Sequence, residues 1–360
     1  MCGAERIICM KVVDMHCDTI SALLAEKRAG KEAGLKENDC HVDILKMQKG
    51  GYLLQNFALF VDMEACADPW EEVQALLALY QEEMAANREW IAPVLTWSDI
   101  EKNRAEGRIS AMLTVEEGGV CLGRLAKLEE LYGQGVRMLT LMWNYPNGLG
   151  HPNLNRYKGK EARLAAKEKS RAEAERLVQQ YLNTPDTENG LTDTGAAFVQ
   201  RMEELGMIID VSHMSDAGFY QVLSLTKKPF VASHSNARAV CPCVRNLSDD
   251  MIRRLAERGG VTGLNFCADF LTQAPYGEHN PGTIAAVVSH AKHIVNVGGM
   301  ECLGLGSDFD GIDTHAELTG ADKMENLWSA LKESGFTERE LDKIWGGNVL
   351  RLYREVLTEK

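Results

Sequence analysis

The sequence has no long apolar run. None of its 360 residues belongs to an apolar stretch that approaches the roughly 18 residues of a membrane-spanning helix. The first strand-like segment is preceded and interrupted by charged residues, namely Glu5, Arg6, Lys11 and Asp14. Because a signal peptide needs an uninterrupted apolar core, we expect a cytoplasmic protein that does not contact the membrane.

Positive charge is also scarce. The chain carries 39 Lys and Arg against 52 Asp and Glu, a formal net charge of −13 at pH 7. An acidic chain without a clustered basic face lacks the surface that releases counterions from nucleic acid. We therefore exclude nucleic acid as a partner and expect small-molecule substrates.

Cysteines are present but are not arranged as a site. The ten cysteines are scattered, and only Cys241 and Cys243 lie close together. This is neither the spacing of a zinc ribbon nor the framework of a small disulfide-rich protein. We expect reduced thiols and no thiolate metal site.

Short apolar segments alternate with helical patterns along the whole chain, which favours a parallel sheet. Eight is the number of strands that a (β/α)8 barrel of the TIM type needs, so we predict a barrel like those of metallo-dependent hydrolases, as one domain over residues 1–360. An open, doubly wound sheet would show the same alternation. The predicted strands are Ile7–Asp14, Tyr52–Val61, Ser110–Val115, Arg137–Met142, Met207–Val211, Pro229–Ala232, Val261–Phe266 and Cys302–Gly306.

Helical patterns fill the intervals, several of them opened by a Ser, Thr or Asp cap. A charged segment, Lys158–Tyr181, predicts a surface helix in an insertion at about residues 155–185, with a lid over the active site as the alternative. Near the C-terminus, Gly346-Gly347 is expected to separate two helical pieces, with Asn348 capping the second. The other predicted helices are Trp70–Arg88, Leu122–Tyr132, Thr194–Leu205, Ser215–Leu225, Ser248–Arg258 and Thr283–Val297.

Five residues of metal-binding types follow predicted strands. His16 and Asp18 are two apart at the end of the first strand, Glu116 ends the third, His213 follows the fifth and His234 ends the sixth. Because a barrel gathers its active-site groups at the carboxyl ends of its strands, these side chains can converge. Each alone is compatible with a structural role as a cap or a hydrogen-bonded histidine.

The donor types indicate the metal. Imidazoles and carboxylates without thiolates favour Zn²⁺, with Mn²⁺, Co²⁺ or Fe²⁺ as alternatives. Two catalytic zinc ions with three protein ligands each need six contacts, and one bridging carboxylate supplies the sixth. We expect Glu116 to bridge, with His16 and Asp18 on the first ion and His213 and His234 on the second.

A further carboxylate, Asp308, stands in the glycine-rich segment that ends the eighth strand. Facing the two ions, it would stay ionised and able to move a proton or bind a substrate ammonium. The nearby pair Asp310-Gly311 is typical of a turn.

Taken together, these motifs resemble the membrane (renal) dipeptidase family of zinc peptidases over nearly the whole chain. The resemblance implies a (β/α)8 barrel, two zinc ions and the ligands His16, Asp18, Glu116, His213 and His234. The matching segments are Val13-Asp-Met-His16-Cys-Asp18, Val115-Glu116, Gly190-Leu-Thr, Ile209-Asp-Val-Ser-His213, Ser233-His234-Ser, Arg245-Asn246, Asn265-Phe266, Gly306-Ser-Asp308-Phe-Asp-Gly311 and Gly347-Asn348.

The resemblance also selects between neighbouring candidates. Glu117 is the rival for the bridge, but an ungapped match carries the family's glutamate to Glu116. The arginine that holds the substrate's terminal carboxylate corresponds to Arg245, and Arg238 is its competitor. A bidentate guanidinium suits that task. A homodimer is also expected by resemblance.

One position departs from the family pattern. Animal members have a histidine after the fourth strand that is thought to polarise the scissile carbonyl, and Trp143 stands there in this sequence. Zinc, the indole N–H of Trp143 or His151 on the following loop would have to act instead. Trp143 and His151 are therefore candidate substrate-binding residues.

These residues predict a zinc dipeptidase. In this hypothesis a water held by both ions ionises near neutral pH and attacks the peptide carbonyl, and Asp308 passes the proton to the leaving amine. The alternatives are another binuclear amidohydrolase, such as a lactonase, a phosphotriesterase-like enzyme or a deaminase, and a barrel that binds metal or peptide without turnover.

Overall fold

The computed structural model describes residues 11–275, 277–313 and 315–358. Nine parallel strands form one sheet, and a pairing between β2 and β4 closes eight of them into a barrel. The strands are β1 (Val12–Asp14), β2 (Tyr52–Phe60), β3 (Ile91–Val94), β4 (Ile109–Glu116), β5 (Met138–Thr140), β6 (Ile208–Asp210), β7 (Val231–Ala232), β8 (Val261–Leu264) and β9 (Leu303–Leu305).

Helices surround the barrel, and the (β/α)8 prediction is confirmed. They are α1 (Thr19–Arg28), α2 (Ile44–Lys49), α3 (Pro69–Ala86), α4 (Trp97–Ala105), α5 (Leu125–Gly133), α6 (Arg156–Ala166), α7 (Arg171–Asn183), α8 (Asp193–Leu205), α9 (Asp216–Leu225), α10 (Asp249–Glu257), α11 (Ala268–Leu271), α12 (Ile284–Gly298), α13 (Met324–Glu333), α14 (Glu338–Asp342) and α15 (Asn348–Val356).

All eight predicted strands are barrel strands, although residues 7–10 of the first lie outside the described residues. The ninth strand, β3, was not predicted. It pairs with the first half of β4, from Ile91 opposite Ile109 to Val94 opposite Met112, while β5 pairs with the second half. Its Pro93 is tolerated because β3 is an edge strand outside the closed barrel.

Helix α15 packs against the amino-terminal end of the barrel. Its Val349, Leu352 and Tyr353 are fully buried in one cluster with residues of the strands, among them Val13 and Met138. The Tyr353 hydroxyl also accepts a hydrogen bond of 2.8 Å from the Asn56 amide. With this end filled, the open end of the barrel is the carboxyl end, where functional side chains gather.

The insertion between β5 and β6 contains two helices, so the prediction of a single helix was wrong. Helix α6 ends at Ala166 and α7 begins at Arg171. Ser170 and Glu173 form a capping box at the start of α7, so a new helix begins there instead of a continuation of α6.

Candidate metal centre

Glu116 stands at the centre of a buried cluster at the carboxyl end of the barrel. Its Oε2 lies 3.3 Å from Nε2 of His16, while its Oε1 lies 2.9 Å from Nε2 of His213 and 3.5 Å from Nε2 of His234. The two oxygens therefore face different histidines. This is the arrangement of a carboxylate that can bridge two ions.

Two more carboxylates approach His16 from the other side. Its Nε2 lies 3.4 Å from Oδ2 of Asp18 and 3.9 Å from Oδ1 of Asp308. Ligand atoms of His16, Glu116 and His234 lie within 4.8 Å of one another, and so do those of His16, Asp18 and Asp308. The structure thus brings together all five predicted ligands and Asp308.

Several polar atoms of this cluster have no hydrogen-bond partner among the described residues. Both ring nitrogens of His16 and Oδ1 of Asp18 are buried and unpaired. Buried polar atoms are nearly always paired in native proteins. The unpaired atoms and the mixed N and O donor set fit a bound transition-metal cation.

The protonation of the histidines is set by burial and by charge. Burial, followed by the charge of Arg245, lowers the pKa of His213 to about 4. Burial, followed by His16, also holds the pKa of His234 well below its usual range. Both rings are therefore neutral near pH 7, the state in which imidazole binds a metal.

In His16 and Glu116, by contrast, the charged form is favoured. Burial lowers the pKa of His16, but the charges of Glu116 and Asp18 outweigh burial and raise that pKa well above its usual range. Burial raises the pKa of Glu116, but the positive charge of His16 beside it holds that pKa well below its usual range. The charges of Glu116 and Asp18 therefore favour a positive charge at this position. A proton on His16 supplies that charge, and a bound metal cation would supply it as well.

In His213 and His234 the outer ring nitrogen, Nδ1, has a fixed partner. Nδ1 of His234 lies 2.7 Å from Oγ of Ser233, which donates a hydrogen bond of 2.6 Å to Asp210. Nδ1 of His213 lies 2.8 Å from Oδ1 of Asn144. Such partners select the tautomer that leaves Nε2 free for a metal. The sequence analysis assigned no role to Ser233, Asp210 or Asn144, although the first two lie within the motifs it used.

His213 and Asp308 have left-handed backbones, with φ of 69° and 63°. Non-glycine residues rarely adopt this conformation, and where they do the surrounding structure enforces it. Hydrogen bonds hold both residues: the His213 carbonyl accepts from Asn153 at 2.9 Å, and the Asp308 amide donates to the His16 carbonyl at 3.2 Å. Both side chains are thereby turned into the cluster.

Glu117 points away from the cluster. Its carboxylate accepts hydrogen bonds from the amides of Gly119 at 2.7 Å and Trp143 at 3.1 Å, and from the Asn147 side chain. Glu117 thus supports the loop after β5, whereas Glu116 faces the histidines.

Arg245 approaches the cluster and Arg238 does not. Nη2 of the buried Arg245 lies 3.1 Å from Nε2 of His213. Arg238 instead forms a two-bond pair with Asp216, at 2.7 and 2.8 Å.

Asp308 is oriented by Asn265, whose amide donates to Oδ2 at 2.8 Å, and burial raises the Asp308 pKa.

A cavity of about 460 Å³ opens above the cluster. Trp143 lies in its wall, as expected, but His151 does not line it. Nδ1 of His151 lies 3.1 Å from the Gly190 carbonyl, and its backbone carbonyl accepts from the Ser215 amide. In this structure His151 therefore lies outside the cavity wall. The lining residues are Asp18, Ser21, Phe60, Glu116, Trp143, Asn144, His213, Cys267, Phe270, Asp308, Asp310, Gly311, Ile312 and Asp313.

A family model described as membrane dipeptidase, peptidase family M19, matches residues 5–360. This chain belongs to that family. The match spans every element described above and confirms the resemblance found in the sequence motifs. Membrane dipeptidases of this family are metallopeptidases, in agreement with the buried cluster of candidate metal ligands.

One relative and two solved structures match this M19 chain over nearly all of their own lengths. A Klebsiella pneumoniae protein, named only by its position in the pqqA 5' region, is 30% identical over 80% of this chain and 97% of its own. A solved family M19 dipeptidase superposes with a TM-score of 0.83 at 26% identity, covering 97% of this chain and 99% of that one. A Rhodobacter sphaeroides metallopeptidase bound to a phosphinate mimic of L-Ala-D-Ala gives a TM-score of 0.81 at 25% identity, covering 96% and 99%.

In residues 11–275, 277–313 and 315–358, no helix has both the length and the hydropathy required to cross a membrane.

Proposed function

We propose that this protein is a dinuclear zinc dipeptidase. The observation that carries the proposal is the position of Glu116, whose two oxygens face His16 on one side and His213 with His234 on the other. His16, Asp18 and Glu116 would hold one ion, and Glu116, His213 and His234 the other. Bound zinc would supply Lewis-acid charge that acidifies water and polarises the peptide carbonyl.

The chain's own residues orient the substrate. Arg245 is buried beside His213, with its guanidinium carbon 5.2 Å from the centroid of the Phe270 ring. Among the described residues its hydrogen-bond partners are Ser235, His213 and the His234 carbonyl, and none is a carboxylate. A buried guanidinium of this kind suits the terminal carboxylate of a peptide. Arg245 is thus the proposed anchor for one end of the dipeptide.

Asp308 is the proposed proton carrier. Asn265 fixes its Oδ2, and its Oδ1 remains directed toward His16 within the cavity. From this position Asp308 would take a proton from the attacking water and return it to the leaving amine. A group that transfers protons at the reacting atoms contributes typically 10² to 10⁴-fold to rate.

Two buried anchors make the site sensitive to substrate length. Arg245 would hold the carboxylate, and the acidic residues of the cavity would face the ammonium. A longer peptide places its charged terminus elsewhere and leaves one of these buried charges without a partner, which costs binding energy.

The experiment compares kcat/KM for Ala-Ala, Ala-Ala-Ala-Ala and N-acetyl-Ala-Ala on the zinc-loaded protein. We expect hydrolysis of Ala-Ala, with at least 100-fold lower values for the other two, loss of activity with a chelator and its return with zinc. Asp308→Asn should lower kcat with zinc content unchanged. Comparable turnover of the tetrapeptide, or hydrolysis only of lactone or organophosphate substrates included in parallel, would refute the proposal.

A further inference from the structure

The two sides of the catalytic cavity differ in chemistry. In the closed strand order, β2 lies across the barrel from β7, and β4 lies across from β8. Phe60 ends β2 and therefore lies opposite Arg245, which follows β7. Trp143 follows β5, which lies across the barrel from β9, and its ring contacts that of Phe60. Phe60 and Trp143 form an aromatic wall, whose Phe60 end faces Arg245 across the metal ligands.

The aromatic wall is held in place. The rings of Phe60 and Trp143 meet edge to face with centroids 4.8 Å apart, and Tyr145 packs on Trp143 at 5.6 Å. The guanidinium carbon of Arg156 lies 5.4 Å from the Trp143 ring. Arg156 is in turn paired with Asp62 at 2.9 and 3.0 Å. A packed ring supplies a rigid apolar surface at low entropic cost.

The charged residues of the described lining are acidic. Among the described residues that line the cavity there are four aspartates and one glutamate but no lysine or arginine. Asp310 and Asp313 follow β9, between the aromatic wall and Arg245 around the rim. This part of the rim attracts an ammonium group and repels a negatively charged side chain.

We propose that Phe60 and Trp143 form the pocket for the side chain of the dipeptide's amino-terminal residue and select apolar side chains there. The inference rests on the proposed function. With the carboxylate at Arg245 and the peptide bond above Glu116, an extended chain of two residues reaches roughly 7 Å farther, toward the opposite wall. The ammonium group then faces Asp310 and Asp313.

In this role the Trp143 ring acts as a surface and not through its N–H. Phenylalanine at position 143 would keep the apolar face and lose the donor, whereas alanine would lose both. The two variants therefore separate a side-chain pocket from a hydrogen bond to the scissile carbonyl.

The test measures kcat/KM for Phe-Ala, Leu-Ala, Ser-Ala and Asp-Ala with the zinc-loaded wild type, Trp143→Phe, Trp143→Ala and the control Trp90→Ala. Trp90 is an exposed tryptophan just before β3. The wild type and Trp90→Ala should prefer Leu-Ala and Phe-Ala over Ser-Ala by about tenfold or more, as expected for burying an apolar side chain. Trp143→Phe should keep most of this preference, and Trp143→Ala should reduce it to about threefold or less.

Equal kcat/KM for all four dipeptides in the wild type would overturn the inference and leave the proposed function standing. The same holds if Trp143→Ala keeps the preference, or if Trp143→Phe loses it as fully as alanine does. If Trp143→Ala does not fold, the wild-type series and Trp143→Phe still decide the question. Failure of the zinc-loaded wild type to hydrolyse any dipeptide would instead refute the proposed function itself.

Discussion

Gly311 packs directly against Asp18. A Cβ atom added to Gly311 would lie 2.1 Å from Oδ2 of Asp18 and 2.8 Å from Oδ1 of Asp308. Neither carboxylate has room to retreat within a buried cluster without losing its position beside His16. A methyl group at residue 311 therefore acts on the proposed first metal site through Asp18.

For Gly311→Ala we predict metal affinity that is lower by about 10 to 100-fold, as for other perturbations that displace a ligand through its surroundings. The measurement is competition for zinc against a chromophoric chelator. Gly133→Ala is the matched control, since a Cβ there meets nothing within 4 Å. Equal affinity of the two variants would contradict the placement of Asp18 as a ligand.

Ser233 connects His234 to Asp210, and its removal should weaken metal binding. In Ser233→Ala, Nδ1 of His234 loses its partner, and we predict a loss of about 10 to 100-fold in zinc affinity. Thr140→Val is the control because Thr140 also donates to Asp210, at 2.6 Å, without touching His234.

Both changes remove one donor from the buried Asp210 and should cost about 1–3 kcal/mol of unfolding free energy. Chemical denaturation measures this loss of unfolding free energy. Only Ser233→Ala should also lose metal affinity. If Ser233→Ala and Thr140→Val changed zinc affinity equally, Ser233 would act only on stability.

At this scale the sequence predicted the residues whose chemistry is visible in their type and position. His16, Asp18, Glu116, His213 and His234 follow strands and carry donor groups. Asn144 and Ser233 could not be assigned, because an amide or a hydroxyl after a strand is common and only the distance to a histidine reveals its role. His151 was also predicted at the site, but in the structure its ring contacts the Gly190 carbonyl, and this contact depends on the folding of the intervening insertion.

At the scale of elements, α12 contains a buried titratable group. His290 accepts a hydrogen bond from the Ala237 amide at 3.1 Å, and its Nε2 lies 2.9 Å from the Leu271 carbonyl. Burial lowers the pKa of His290 from 6.5 to about 4. The neutral ring thus ties α12 to α11 and to the loop after β7.

This shift predicts a pH dependence of stability. Below pH 6.5 the unfolded chain binds a proton at His290 that the folded protein binds only near pH 4, so stability falls as the pH decreases from 6.5 to 4. The contribution amounts to roughly 3 kcal/mol over this window. Thermal or urea denaturation of His290→Gln should lack this part of the slope. Identical pH profiles for the variant and the wild type would contradict it.

Element boundaries were predictable where caps and periodicity agree, as for α8 and α10, whose starts differ from the prediction by one residue. The structure of the C-terminal segment at Gly346-Gly347 was not predictable in this way. The chain remains helical through a π-helical turn at Lys343–Gly347, so the expectation that Asn348 caps a new helix was wrong. The side-chain amide of Asn348 instead donates to the carbonyls of Met300 and Leu303, at 2.7 and 2.8 Å. No pattern in the neighbouring sequence predicts this tertiary contact.

At the scale of the whole molecule, closure of the barrel determines the site. The sequence could show eight strands in order, but not that β2 would pair with β4 from Leu54–Ser110 to Phe60–Glu116. That register places the end of β2 beside the end of β4. An open sheet with the same strands would hold His16 and His213 apart, and the five ligands would not meet.

The central claim is that one cluster holds two ions that share Glu116. Elemental analysis of metal bound per chain, after loading with zinc and dialysis, tests it most directly. We predict two zinc ions for the wild type, two for Glu117→Gln and fewer than two for Glu116→Gln. A wild type that holds no zinc or one ion, or a Glu116→Gln variant that still holds two, would contradict the account.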